Sequence, residues 1–223
     1  MEPGFTGMRS GGRETEPLGG WAVGAQPHFW PDGLAQPVKK GSDLVVQYHF
    51  HPTGKPEVEK SVIGLYFAKQ PPARTLVAIQ LPPTYSLFSG LDIPAGEKDF
   101  AIRDSWTLPV AFDAVKDWDF SWQDRYFFEQ SIPLPKGTRL DAEVHWDNSA
   151  GNPGNPSNPP IEVKWGEQSK DEMGSVSLVG VPHEQADFAV LRRDLVKHRN
   201  EMARTRLLTD SGLRAKVREL LAQ

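Results

Sequence analysis

Two histidines and one methionine are the residues in this sequence whose types and spacing could bind a transition metal. His49 and His51 are two apart on a predicted β-strand, so both side chains project from one face and can approach a single ion. Met173 ends the polar stretch WGEQSKDEM, an unusual place for a purely space-filling thioether. Imidazole combined with a thioether is a ligand set that selects copper, particularly the cuprous ion. The three residues therefore suggest a copper-binding role.

Structural interpretations of the same residues stay open. An isolated His-x-His pair can be two imidazoles hydrogen-bonded at a sheet surface, and Met173 can be a core methionine. His145 shares the polar face of its strand with Asp141, Glu143 and Asp147, which favours a salt-bridged surface residue over a metal ligand. By the same reasoning, we interpret His28, His183 and His198 as structural residues rather than metal ligands.

Two tryptophans among acidic residues offer a different kind of surface. Trp118 and Trp122 lie close to three aspartates, Asp117, Asp119 and Asp124. Such a group suits a sugar-binding aromatic face, but tryptophans packed inside a sandwich are the favoured interpretation. The sequence contains no nucleophilic serine elbow, P-loop, dinucleotide fingerprint or HExxH motif.

Composition narrows the function classes further. A hydrophobic fraction of 38% with 10% aromatics predicts a folded chain, and 20 glycines with 20 prolines argue against a mainly helical one. The formal charge of -4 argues against a nucleic-acid partner. The absence of cysteine excludes disulfides, thiolate zinc sites and cysteine nucleophiles. No apolar stretch approaches the roughly 20 residues of a membrane span, and the first residues lack the apolar segment of a signal peptide.

The elements that must position these residues are mostly strands. The clearest predicted strand covers residues 43–51, where apolar and polar positions alternate. Residues 61–67 are predicted to form the second strand of a hairpin with it. Further strands are predicted at residues 75–80, 99–107, 126–132 and 140–146. Short strands at regular spacing favour a sandwich or jelly roll.

The last part of the chain changes character. Residues 148–160 are rich in Asn, Pro and Gly, which predicts a surface loop. From about Glu184 the apolar residues recur at helical spacing and predict two amphipathic helices, the second capped by Thr209 or Asp210. The arginines and lysines of this tail most simply form a solvated face.

Several motifs occur in an order that resembles a known family. They are GWAVGAQP (20–27), QYHFH (47–51), GLYF (64–67), IPAGE (93–97), KDWDFSWQ (116–123) and DEM (171–173). Together, over about residues 4–178, they resemble bacterial copper type II, ascorbate-dependent monooxygenases, the family of peptidylglycine alpha-hydroxylating and dopamine beta-monooxygenases.

The resemblance implies two jelly-roll domains, two copper ions and hydroxylation of an aliphatic carbon with O2, with ascorbate as the reductant. It assigns His49 to the three-histidine copper that transfers electrons and Met173 to the copper that binds oxygen. His51 is the strand neighbour of His49, without an assured ligand role. A secreted or periplasmic location also follows from the family alone.

The departures from the family pattern matter equally. The family's adjacent histidine pair would lie before Met1, and only AFDAV (111–115) stands where the family has a His-x-His strand. A few dozen residues are missing there, which should cost core strands unless residues 109–115 close the gap as a short connection. Since tight sites need several convergent donors, we expect both copper sites to be incomplete.

These arguments predict a mainly β protein with four parts. An irregular lead-in (1–20) precedes the remnant of an N-terminal jelly-roll-like domain (21–70), a reduced C-terminal β-sandwich domain (71–180) and a short helical tail (184–223). The expected function is that of a copper- and ascorbate-dependent monooxygenase-like protein, degenerate or a fragment, inactive alone and acting in complete relatives on an unknown small-molecule or peptide substrate. Its partner would be a missing N-terminal half or a fused redox domain. The alternative is a non-catalytic β-sandwich module that binds a peptide, glycan or partner domain.

Overall fold

Ten strands and two helices make up the described part of the chain. The computed structural model describes residues 18–20, 29–31, 33–46, 48, 53–83, 90–119, 124–166, 171–172 and 174–221. The strands are β1 (Leu34–Ala35), β2 (Arg74–Thr75), β3 (Val77–Leu81), β4 (Asp92–Ile93), β5 (Phe100–Thr107), β6 (Phe112–Asp119), β7 (Asp124–Leu134), β8 (Arg139–Trp146), β9 (Val163–Lys164) and β10 (Val176–Pro182). A 3-10 turn at Gln185–Asp187 leads into α1 (Phe188–Thr209) and α2 (Ser211–Leu221).

An antiparallel sheet in the order β3-β10-β6-β7 forms the centre of the fold. The register sets Val176 opposite Leu81 and Pro182 opposite Phe112, while Phe112 also faces Leu134. Strand β10, late in the sequence, is thus inserted between two earlier strands. Strand β10, which follows residues 167–170 in the sequence, is paired in this sheet with strands that precede them.

A long antiparallel pair, β5 with β8, forms a second sheet. Its pairs run from Phe100 opposite Trp146 to Thr107 opposite Arg139. Along β8 the side chains alternate between exposed and half-buried, which is the pattern of a sheet with one solvated face. The sequence-based predictions at residues 99–107, 126–132 and 140–146 are confirmed by β5, β7 and β8.

One hydrophobic core joins both sheets and the tail. It contains Ile79 from β3, Trp106 from β5, Phe112 from β6 and Leu191 from α1, all buried. The mainly β, sandwich-like class with a helical tail is therefore confirmed. The tail is packed into the core of the β body through Leu191 rather than held apart from it.

Two predicted strands are wrong over the residues that the structure describes. Residues 42–46 and 48, and all of 53–67, lie in no strand. Alternation of apolar residues is only half of what a strand needs, because its backbone must also pair with a neighbour. No described strand pairs with these residues, and large apolar side chains there, such as Val62 and Phe67, are exposed.

Residues 109–115, which could have closed the gap as a short connection, contain the start of a strand instead. Phe112 begins β6, which pairs with β10 on one side and β7 on the other. Phe112 and Ala114 are buried in the core. The segment AFDAV therefore leads into a central strand, because Phe112 and Ala114 pack in the core and the strand pairs with a neighbour on both sides.

The loop and the tail follow the sequence-based predictions. Asp210 caps α2, since the backbone N–H of Leu213 donates to its carboxylate at 2.9 Å. The Asn/Pro-rich loop is organised by Asn148, whose side-chain amide donates to the carbonyl oxygens of Pro94 (2.9 Å) and Ile161 (2.8 Å). In the described part of the chain, neither helix combines the length and the apolar character needed to cross a bilayer.

Candidate functional site

The three predicted copper ligands lie outside the described residues. His49, His51 and Met173 fall in the gaps after residue 48 and between residues 172 and 174. Their candidacy therefore continues to rest on residue type and spacing. The structure does describe the residues on either side of them.

The neighbours of Met173 are fixed to the sheets. The N–H of Glu172 donates to the carbonyl oxygen of Lys164 at 3.1 Å, and Glu172 bridges to Trp165. Gly174 lies against the indole of Trp146, so closely that an added Cβ would stand 2.7 Å from the ring. Ser175 is buried and accepts a hydrogen bond from Gln80 at 2.8 Å. A ligand at position 173 would therefore be flanked by two positions that the β-sheets hold in place.

The neighbours of His49 and His51 lie in a different environment. Tyr48 is about half exposed, and the Thr53 hydroxyl donates to Glu57 at 2.8 Å within the same segment. Neither belongs to a strand. The histidine pair is thus flanked by residues that belong to no described strand.

Each of the three described histidines faces a carboxylate. His145 lies on the exposed face of the β5–β8 sheet, with Nδ1 2.5 Å from Asp99 and Nε2 2.7 Å from Glu143. The hydrogen bond with Asp99, followed by that with Glu143, raises the pKa of His145 above its usual 6.5. The pKa of Glu143 is lowered, first by its hydrogen bond with Arg103 and then by that with His145. The expected salt-bridged surface role of His145 is confirmed, although Asp99 rather than Asp141 or Asp147 is its second partner.

His198 belongs to the contact between α1 and β5. Its Nε2 lies 3.0 Å from both carboxylate oxygens of Asp104, and the Asp104 side chain is almost fully buried. Two residues further along β5, the indole N–H of Trp106 donates to Asp194 of α1 at 3.0 Å. These two polar contacts position the helix on the sheet, which is a structural task.

A third group, at the start of β6, was not predicted from the sequence. The carboxylate of buried Asp113 forms an ion pair with Arg74 and lies 3.4 Å from Nδ1 of His183. Beside it, Gln185 accepts from the N–H of Thr75 at 2.8 Å. No local pattern could have indicated this group, because Arg74 and Asp113 are 39 residues apart in sequence.

The described side chains therefore form cation–carboxylate pairs rather than a metal centre. Within the ranges that the structure describes, no three histidine or carboxylate side chains are grouped so that they could hold a metal ion. The described residues do not by themselves supply a copper ligand set, so His49, His51 and Met173 remain the donors that suit copper. Of the two candidate tryptophans, Trp118 lies in β6 and Trp122 falls outside the described residues.

Comparison with known proteins adds no family to this geometry. No protein-family model, no curated protein and no solved structure matches the chain.

Proposed function

We propose that this chain is a copper- and ascorbate-dependent monooxygenase-like protein whose own copper sites are incomplete. The observation that carries the proposal is the ordered series of six motifs, from GWAVGAQP at 20–27 to DEM at 171–173. Separated motifs in one order are more specific than any of them alone. The mainly antiparallel β fold is compatible with it but is shared by many unrelated functions.

The proposed copper donors are His49, with His51 beside it, and Met173. When bound, copper would supply the redox chemistry that inserts an oxygen atom into an aliphatic carbon, with ascorbate as the source of electrons. The chain's contribution would be to hold Met173 between Glu172 and Gly174, which the sheets anchor. With so few donors, we expect weak metal binding and no hydroxylation by the chain alone. Activity would require donors from a further segment or partner, in a secreted or periplasmic setting.

X-ray absorption spectroscopy of the cuprous-loaded protein tests the ligand assignment. The proposal predicts a sulfur scatterer next to copper that disappears in Met173→Ala but persists in Met202→Ala, a change to another methionine, on α1. Loss of nitrogen scatterers is expected in His49→Ala and not in His145→Ala, whose ring nitrogens already face carboxylates. Unchanged copper spectra in both Met173→Ala and His49→Ala would rule out these ligands.

A non-catalytic β-sandwich module is the second candidate function. The observation that favours it is the ordered Asn/Pro-rich loop, in which Asn152 donates to the carbonyl oxygen of Asp147 (2.7 Å) and Asn155 donates to Asn148 (2.9 Å). An ordered polar loop on a rigid sheet can present side chains to a peptide, a glycan or a partner domain. Glycan and peptide array binding that survives in the His49→Ala, Met173→Ala double variant would support this module. Array binding lost only on removal of copper would instead support the copper protein.

A further inference from the structure

The exposed stretch at residues 58–67 carries an interaction surface. Val58 is 97% exposed, Val62 91%, Tyr66 79% and Phe67 84%, and Ile63 and Leu65 are about half exposed. At roughly 150–250 Å² per aromatic residue and less per aliphatic one, these six residues expose on the order of 900 Å². The largest apolar patch on a typical monomer is only about 300–600 Å². An exposed apolar area of this size indicates an interaction site.

The same stretch has the composition of a strand without a described strand partner. Residues 61–67, SVIGLYF, are rich in β-branched and aromatic residues and contain neither proline nor charge. Among the described residues, their backbone makes no ladder hydrogen bond, and the edge of Tyr66 contacts the ring of Phe29 with centroids 5.0 Å apart. Proteins usually protect an open edge with lysine, proline or a bulge, and residues 61–67 carry no such charge or proline.

We propose that residues 61–67 pair antiparallel with the same residues of a second copy of this chain. Pairing about a two-fold axis at Gly64 would set Val62 opposite Tyr66, Ile63 opposite Leu65 and Ser61 opposite Phe67. Aromatic and β-branched residues directly opposite each other are favourable cross-strand pairs. Gly64 itself would lie at the axis, where the two backbones face each other.

A second copy meets the requirements of this surface in area and in charge. A standard interface buries about 800 Å² per partner, and the six residues, five of them within 61–67, expose enough apolar surface to reach that area if the two copies also pack along one face beside the paired strands. Residues 53–67 carry two lysines and two glutamates, so two copies bring no net like charge together. A two-fold axis also uses the same surface on both chains, and therefore closes as a dimer. The proposal does not depend on copper.

Light scattering during size-exclusion chromatography, at about 1–100 µM protein, tests the dimer. We expect a concentration-dependent dimer that Val62→Lys weakens at least 10-fold, because the two-fold axis introduces the change twice. The matched control is Leu221→Lys, at another strongly exposed apolar residue, and it should leave the dimer unchanged. Adding Tyr66→Glu to Val62→Lys places opposite charges across the pair and should recover part of the lost affinity.

The absence of native cysteine allows the register to be tested directly. Gly64→Cys should form a disulfide-linked dimer under mild oxidation, since paired antiparallel residues have Cα atoms roughly 4.5–5.5 Å apart, within disulfide range. Ala150→Cys, exposed in the Asn/Pro-rich loop, should not do so at the same rate. A monomer at every concentration, a polydisperse aggregate, equal weakening by Leu221→Lys, or no faster linkage at position 64 than at position 150 would each overturn the proposal.

Discussion

At the scale of single residues, the charge on His145 is tied to its two carboxylate neighbours. The folded protein raises the pKa of His145 above 6.5, with Asp99 as the largest cause. A raised pKa means that the protonated form is favoured on folding. The resulting stabilisation is complete below the unfolded pKa of about 6.5 and is lost as the pH rises through the folded pKa.

An NMR titration of the His145 ring checks this expectation. Its midpoint should lie above 6.5 and fall towards that value in Asp99→Asn, with a smaller fall in Glu143→Gln. A His145 midpoint at or below 6.5 would show that the two ring contacts do not favour the charged form.

Only part of the candidate site could be predicted, because the sequence shows residue types and local spacing but not which strands and helices meet. The His-x-His spacing, the thioether and the acidic face around His145 are local features that sequence can reveal. The ion pair of Arg74 with Asp113 and the contact of His198 with Asp104 depend on which strands and helices meet. Such contacts become visible only once the topology is known.

At the scale of elements, β10 was missed in the sequence because Gly180 interrupts it and Pro182 ends it. Gly180 lies where β10 approaches β6, and an added Cβ would stand 2.7 Å from the Phe112 ring and run into the Asp113 carbonyl oxygen. Glycine normally weakens a strand, but here it permits close approach of two backbones. Strand β6 was missed because its alternation of apolar and polar residues fails at Ala114-Val115 and again at Lys116-Asp117, where the pairing with β7 shifts register.

Gly180→Ala should therefore destabilise the fold. The added methyl group meets backbone that cannot move without disturbing β6, so we expect a loss of about 3 kcal/mol in the free energy of unfolding. Gly151→Ala is the matched control, because an added Cβ there meets only the Ser149 hydroxyl at 3.7 Å. Urea unfolding followed by circular dichroism measures both. Equal stability of the two variants would contradict the close approach.

At the scale of the whole molecule, composition and spacing predicted the class of fold better than its connections. The mainly β body and the two-helix tail follow from local periodicity. The predicted strands at 43–51 and 61–67 failed over their described residues because strand formation requires a partner at a distance in sequence. The packing of α1 into the β core could not be predicted either, because the apolar face of a helix does not specify which surface it covers.

The tail and the β body should unfold together. Leu191 on α1 is fully buried in the main core, so Leu191→Ala should cost about 3 kcal/mol. The exposed Val196 on the same helix provides the control, and Val196→Ala should change stability by less than about 0.5 kcal/mol. Thermal unfolding followed both by helical circular dichroism and by tryptophan fluorescence should give one coincident transition. Separate transitions for the two signals would mean that the tail is an independent unit.

The stoichiometry and affinity of copper on the ascorbate-reduced chain test the central claim most directly. The account predicts weak binding of fewer than two ions per chain, reduced further by His49→Ala and by Met173→Ala and unaffected by His145→Ala. It also predicts no ascorbate-dependent hydroxylation by the chain alone. Two tightly bound ions per chain together with such hydroxylation would contradict it, because the sites would then be complete.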